Sequence, residues 1–215
     1  MLINELAKAV HENAVAHGWW DDKREVPEII ALIHSEWSVA LEEARADMPL
    51  AYISYKHTEF SPVMDEIIPR GDDGAYVSEM GLSEGRCITG EKPEGVAVEL
   101  IDGCIRILDA FEFFGVKFND KEMLLDDLMN RAKAEVLPKV DGVSSLVAFL
   151  HYETSMLYIS SVTDNATKLP PATFLIGALG IAMAWVREQG LDPLAILLEK
   201  HEFNKTRPYK HGKKF

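Results

Sequence analysis

Cysteine is scarce in this chain: Cys87 and Cys104 are the only two, and they form neither a CxxC pair nor a Cys/His zinc spacing. A reducing compartment is the simplest reading. Long hydrophobic runs are also missing. The most apolar stretch, FLIGALGIAMAWV at 174–186, is too short to span a bilayer, and Arg187 and Glu188 follow it at once. It reads as a buried core helix. The first fifteen residues alternate polar and apolar side chains at helical spacing, without the unbroken apolar centre of a signal peptide. No membrane partner and a cytoplasmic location are therefore the expectations. Basic residues are outnumbered, 22 Lys and Arg against 35 Asp and Glu, for a formal net charge of −13. That balance argues against a nucleic-acid backbone as the main partner. Phosphate-cradling glycine loops are lacking too: GDDG at 71–74 and GEKPEG at 90–95 have neither Walker spacing nor its Lys-Ser/Thr. There is no Gly-x-Ser-x-Gly nucleophile elbow.

What is present is a chain of 215 residues, 47% hydrophobic and 27% charged, enough for one compact domain or two small ones. Its patterning is helical. Residues 3–17 carry Ile3, Leu6, Val10 and Ala14 on one face, with His11 towards its edge, and Gly18 stops the helix. Residues 26–46 place Ile29, Ile30, Ile33, Trp37, Ala40, Leu41 and Ala44 in an apolar stripe, with Pro27 tolerated in the first turn. From about 47 to 94 the periodicity fails, which predicts a long irregular insertion with room for a small hairpin around AYISY (51–55). A helix then runs from Gly95 to Phe114 and ends at Gly115. Further helices are expected at about 120–135, 143–162, 171–189 and 193–204, followed by a basic tail, KTRPYKHGKKF.

One internal echo stands out. ALIHSEWSVAL (31–41) aligns without gaps to AFLHYETSMLY (148–158), placing His34 on His151 and Glu36 on Glu153. Each segment precedes a loop and a long apolar helix that ends in glycine, Gly115 or Gly190. Aligning these glycines puts Phe174 and Gly177 where the first copy has Glu99 and Asp102. Either a helical hairpin was duplicated and its second copy lost its chemistry, or two amphipathic segments resemble each other by chance.

The residues able to carry chemistry are mostly carboxylates. Glu99 and Asp102 are three apart, so they share a helix face among apolar neighbours. Desolvated carboxylates need partners, and Mg²⁺ accepts a few carboxylate oxygens while keeping positions for water and phosphate. The plainer reading is a Glu favoured by the helix dipole and an Asp paired with Arg106. Glu36 lies amid the apolar stripe of the second helix, with Glu43 seven residues on and on the same face. If helices 26–46 and 95–114 pack antiparallel, Glu36, Glu43, Glu99 and Asp102 converge.

The blocks HGWWDD (17–22), EIIALIHSEWSVALEEAR (28–45), KPEGVAVELIDGCIRILDAFEFFGV (92–116) and LLEKHEFNKTRPYKHGKK (197–214) resemble the MazG-like pyrophosphohydrolases of the all-α NTP pyrophosphatase superfamily. The resemblance implies an all-α, MazG-like antiparallel helical bundle. Residues 1–135 would form the core with its insertion at about 47–94. Residues 136–215 would form a degenerate second helical repeat plus the tail, packed with the first as one unit. The family's metal site combines an ExxE pair on one helix with an ExxD pair on the next. Glu99 and Asp102 match the second pair and Glu36 matches the first position of the first pair, but Val39 occupies the remaining position. Glu43, Glu153 or water would have to replace it, or activity would be reduced or lost.

The resemblance further implies a Mg²⁺-dependent enzyme, with Mn²⁺ as the alternative ion. It would hydrolyse a nucleoside triphosphate to a nucleoside monophosphate and pyrophosphate. Glu99 and Asp102 would hold the ion, and Glu36 would be a ligand or the general base. Lys200, Asn204, Arg207 and Tyr209 match the family's phosphate-binding pattern, with Lys205 and Lys210 beside them and Arg106 within reach. His11, Trp19 and Trp20 match a region that contacts the base in relatives; one of the two tryptophans is expected to plug a helix corner instead. His34 and His151 read as core histidines, Trp37 as core and Cys104 as inert. Partner expectations are a homodimer, since relatives complete their sites across subunits, or a pseudo-dimer within one chain. The alternative to an enzyme is a catalytically impaired nucleotide-binding or regulatory helical protein.

Overall fold

The computed structural model describes residues 3–46, 49–57, 66–68, 91–118, 124–162 and 172–212. Helices dominate them: α1 (Ile3–Ala16), α2 (Val26–Arg45), α3 (Val96–Phe113), α4 (Leu125–Glu135), α5 (Gly142–Val162), α6 (Ala172–Glu188) and α7 (Pro193–Lys205). A 3-10 turn at Tyr209–Gly212 follows. The all-α expectation holds, and the predicted helix ends agree to within a residue or so except at α4, whose first expected residues partly fall outside the described ones. No helix among the described residues is long and apolar enough to cross a membrane.

Local chemistry explains the boundaries. Asp192 caps α7, its carboxylate accepting from the backbone N–H groups of Leu194 (2.9 Å) and Ala195 (3.2 Å), with Pro193 in the first turn. At the end of α3, Gly115 takes φ 65° and donates to Glu112 O, while Val116 N donates to Phe111 O at 2.8 Å. This is the Schellman closure that glycine favours. The end of α6 repeats it: Gly190 at φ 80° donates to Arg187 O, and Leu191 N donates to Val186 O.

The long insertion is less irregular than its sequence suggests. Its two ends form an antiparallel sheet of order β2-β1-β3, from β1 (Ile53–His57), β2 (Glu66–Ile68) and β3 (Glu91–Glu94). Pro93 hid β3, because proline argues against a strand; β3 is an edge strand, where a missing N–H is tolerated. Gly95 then turns the chain from β3 into α3 at φ 126°, and a Cβ there would stand 3.0 Å from Tyr52 O. Only glycine fits both demands. The rest of 47–94 lies outside the described residues.

Helix α3 is the centre of the molecule, packed by α1, α2, α6 and α7. The other contacts form a pattern: α1 and α2 pack on α3, α4 and α5 pack on α6, and the two groups meet through α2 on α5 and α3 on α6. At that meeting, residues paired by the sequence echo touch each other. His34 Nδ1 lies 2.6 Å from His151 Nδ1, and Trp37 Nε1 donates to Thr154 Oγ1 at 3.0 Å, each pair 117 positions apart. Self-contact between equivalent residues is what a two-fold relation produces along its axis. A duplicated hairpin and two chance-similar amphipathic helices would both allow this contact. Helix α4 packs on α6. Both groups share one hydrophobic core.

Candidate functional site

Glu99 and Asp102 sit one turn apart on α3, and Glu36 reaches them from α2. One oxygen from each lies within 4.8 Å of the others. Packing forces this approach, because Gly103 lets the Trp37 ring lie directly on α3; a Cβ at 103 would stand 2.2 Å from that ring. Trp37 is fully buried, and Glu36 next to it is held at the edge of the same interface. Glu153, the counterpart of Glu36, stands 3.3 Å from where a Cβ would project at Gly177, the counterpart of Asp102.

The carboxylates are not balanced by water. Glu99 is only 5% exposed, and its pKa is raised to about 7. Burial is the main cause, reinforced by Asp102 and Glu36 and opposed by Lys200 and Lys92. Lys200 has no exposed side-chain surface and places Nζ 2.9 Å from Asp102 Oδ2 and 3.1 Å from Pro93 O. Burial disfavours its ammonium, yet Asp102 and Glu99 outweigh that and hold its pKa above the usual value. Arg106 donates from Nε to Glu36 Oε1 at 3.1 Å. The plainer alternative of an Asp102–Arg106 pair is therefore not what forms; Arg106 serves Glu36 and Lys200 serves Asp102.

Beside the cluster lies a cavity of about 260 Å³. One wall is acidic, with Glu36 and Glu43 from α2 and Glu99, Asp102 and Asp109 from α3. The cavity is also lined by Arg106 on α3, by Lys92 and Glu94 from β3, and by His201, Asn204 and Arg207 at the end of α7. Val39 lines the cavity at 39% exposure, so the position where the resemblance expects a carboxylate is open to the ligand space. Glu43 shares the cavity but not the close cluster. Asn204 and Arg207 each leave polar capacity open, although the Arg207 guanidinium lies 5.9 Å from the Phe203 ring centre. The Oδ1 of Asn204 is buried without a hydrogen bond, and among the described residues no carboxylate lies within ion-pair distance of Arg207. Burial lowers the Arg207 pKa, and the nearby Asp102 charge opposes that.

Several expected ligand contacts are placed elsewhere. Lys200 is sealed beneath the cluster and does not line the cavity, because Asp102 and the β3 backbone enclose it. Tyr209 points away from it: its ring lies over Gly18 and its hydroxyl donates to Asp21 Oδ2 at 2.7 Å. Lys210 follows it out, to Asp22 Oδ2 at 2.8 Å, with its own N–H donating to His17 O. The tail is thus a strap holding the α1–α2 turn. His11 and Trp20 do not line the cavity either; both converge on Asp109 Oδ1, at 2.7 and 3.0 Å. Trp20 stacks on Phe113, with ring centres 5.1 Å apart. Trp19, buried, is the tryptophan that faces the cavity, and the Arg106 guanidinium lies 5.5 Å from its ring centre. Lys92 and Glu94 are cavity groups that the sequence reading passed over, hidden in what read as insertion. Their one sequence signal was the alternation Lys92-Pro93-Glu94, which puts the two on one side of a strand. Cys104 is buried, its thiol pKa pushed up by burial, and it takes no part.

No protein-family model, curated protein or solved structure matches the chain. Its functional reading rests on this geometry and on the motif resemblance.

Proposed function

We propose that the chain is a divalent-cation-dependent nucleoside triphosphate pyrophosphohydrolase, with the cavity between α2, α3, β3 and α7 as its active site. One observation carries the reading. Three clustered carboxylates share a cavity of about 260 Å³ with a buried, partnerless Asn204 oxygen and an Arg207 guanidinium that has no carboxylate partner among the described residues. The Arg207 guanidinium suits an anionic ligand, and the Asn204 oxygen, an acceptor, suits a donor group or a cation that arrives with it.

The donor set fits a hard ion. Three carboxylates, one of them almost wholly buried and reluctant to ionise, are what Mg²⁺ or Mn²⁺ would relieve, and Glu36, Glu99 and Asp102 would hold it. An ion held there would neutralise phosphate charge and acidify water. The chain's own groups supply the rest. Arg207 and Asn204 orient the phosphates, and Arg106 both fixes Glu36 and neutralises charge developing on the bridging oxygen. With one Glu36 oxygen on Arg106, the other would either hold the ion or accept the proton of the attacking water, which otherwise passes to solvent. Water adds at the α-phosphorus, the bond to the α–β bridging oxygen breaks, and nucleoside monophosphate and pyrophosphate leave.

Val39 supports a second reading, a nucleotide-binding protein with impaired catalysis, because it removes one expected cation ligand. Pyrophosphate release from a panel of standard and modified deoxynucleoside triphosphates with Mg²⁺ separates the two. The enzyme reading requires turnover in the natural chain and its collapse in Glu99→Gln. Tight nucleotide binding with no turnover in either selects the second, and equal turnover in both rejects the assigned site.

A further inference from the structure

The cation on the phosphate side of this cavity comes from an unexpected element. In the C-terminal motif, Lys200 is the lysine whose spacing to Asn204 suggests a phosphate ligand, but its ammonium is enclosed. Asp102 Oδ2 and Pro93 O take two of its three donors, and none of its side-chain surface is open to the cavity. It cannot meet a phosphate without dismantling the fold around it. Across the backbone it holds, however, stands a second lysine. Pro93 O, the acceptor of Lys200, lies between Lys92 and Glu94, and both of these side chains line the cavity.

Lys92 keeps 30% of its side chain exposed there, against 11% for Glu94. Its ammonium donates to Glu94 Oε1 at 2.5 Å, and no other partner of Lys92 is found among the described residues. An ammonium has three donors, so two are left without a protein acceptor among the described residues. Its charge is felt at Glu99, which puts it near the clustered carboxylates. The strand that carries it is pinned on both sides. Tyr55 OH on β1 donates to Glu199 Oε1 on α7 at 2.6 Å, and β1 pairs Tyr55 with Pro93. Sheet, α7 and α3 are therefore tied together at the point where Lys92 projects.

We infer that Lys92, held by Glu94, is the phosphate-contacting lysine of this cavity, and that Lys200 is a positioning residue that fixes Asp102 and the β3 backbone. The inference rests on the cavity being a phosphate site, as proposed above. Its chemistry suits a polyphosphate: Lys92 from β3 and Arg207 from beyond α7 both line the cavity and would give two cationic donors to one anion. Glu94 is acceptor-only when ionised, so it orients the ammonium and leaves the remaining donors open to a ligand.

The test is titration calorimetry of the full chain with inorganic tripolyphosphate in Mg²⁺, with circular dichroism of each variant as the folding control. Lys92→Met is expected to weaken binding by about 10- to 100-fold, the range for losing hydrogen bonds to a charged group. Lys92→Arg, which keeps charge and donors, is expected to recover most of it, and Glu94→Gln to lose less than Lys92→Met. In pyrophosphate release, the Lys92→Met loss should fall mainly on KM. If the natural chain binds tripolyphosphate and Arg207→Met loses it while Lys92→Met does not, the assignment of Lys92 is overturned and the cavity remains a phosphate site. If the natural chain neither binds tripolyphosphate nor releases pyrophosphate, the functional reading falls and the role of Lys92 falls with it.

Discussion

Lys200 and Asp102 form an ion pair at 2.9 Å in which the lysine has no side-chain surface exposed and the aspartate retains 18%. A buried pair of this kind gives little net stability over an apolar pair of the same shape, but removing one member alone leaves an uncompensated charge. Lys200→Met should therefore lower stability by about 3–5 kcal/mol. It should also make the carboxylate cluster more dependent on an added ion, so the rise in Tm on adding Mg²⁺ should be larger than in the natural chain. Thermal denaturation with and without Mg²⁺ measures both effects; an unchanged Tm would mean that the pair is not formed.

If the carboxylate cluster holds a cation, Glu99 should make its binding depend on pH. Its pKa of about 7, set chiefly by burial, means that it carries a proton in much of the ion-free protein at neutral pH. An ion binding there displaces that proton. Calorimetry in buffers of different ionisation enthalpy should find proton release per Mg²⁺ bound that is largest below pH 7 and fades above it. Glu99→Gln should abolish the release.

The same shift has a consequence for stability without metal. The folded-state pKa lies above the usual 4.5, so the folded chain binds this proton more tightly than the unfolded one. The stabilising contribution is full below about pH 4.5 and lost as pH rises through about 7. His34 and His151 act in the opposite sense. Burial lowers both pKa values, and the neighbouring His151 adds to the effect at His34. Their contribution is present above the usual 6.5 and lost as the pH falls. Denaturant titrations across pH 5–8, with the metal chelated, should show the slope turning more negative in His151→Phe and more positive in Glu99→Gln.

Gly103 should tolerate no side chain. A methyl group there would meet Trp37 at 2.2 Å, in a core where the ring already bonds Thr154. Gly103→Ala should lower stability by roughly 1–3 kcal/mol through overpacking, although alanine is the better helix former. It should also quench or shift Trp37 fluorescence. A gain in stability would contradict the packing described.

Val39→Glu adds a carboxylate to the wall of the cavity beside Glu36 and Glu43. If the missing ligand limits the natural site, this variant should bind Mg²⁺ more tightly and release pyrophosphate faster. If the open position is filled from elsewhere, added charge should bring no gain. Calorimetry and pyrophosphate release together distinguish the two.

Periodicity alone placed all seven helices, because each has to bury one face, and the repeat of apolar residues records that need. Gly115 and Gly190 marked two helix ends for the same kind of local reason. The acidic trio was also legible, since charges at Glu36, Glu99 and Asp102 interrupt stripes that are otherwise apolar. Local pattern was blind to whatever depends on residues distant in the chain. Nothing in the spacing of Lys200 says that a strand backbone more than a hundred residues earlier will seal it. Tyr209 looked like a ligand contact and instead lies over Gly18, because the tail runs back to the α1–α2 turn.

On its own, the sequence determined the helical class, the carboxylates and the echo between 31–41 and 148–158. All three are properties of side chains within one turn or one segment. Tertiary structure decided that the echoed helices meet through His34 and His151, that β3 walls the cavity, and which cations face the carboxylates. Those outcomes depend on which buried group each ammonium or guanidinium meets, and only the packing of distant segments around α3 makes that choice.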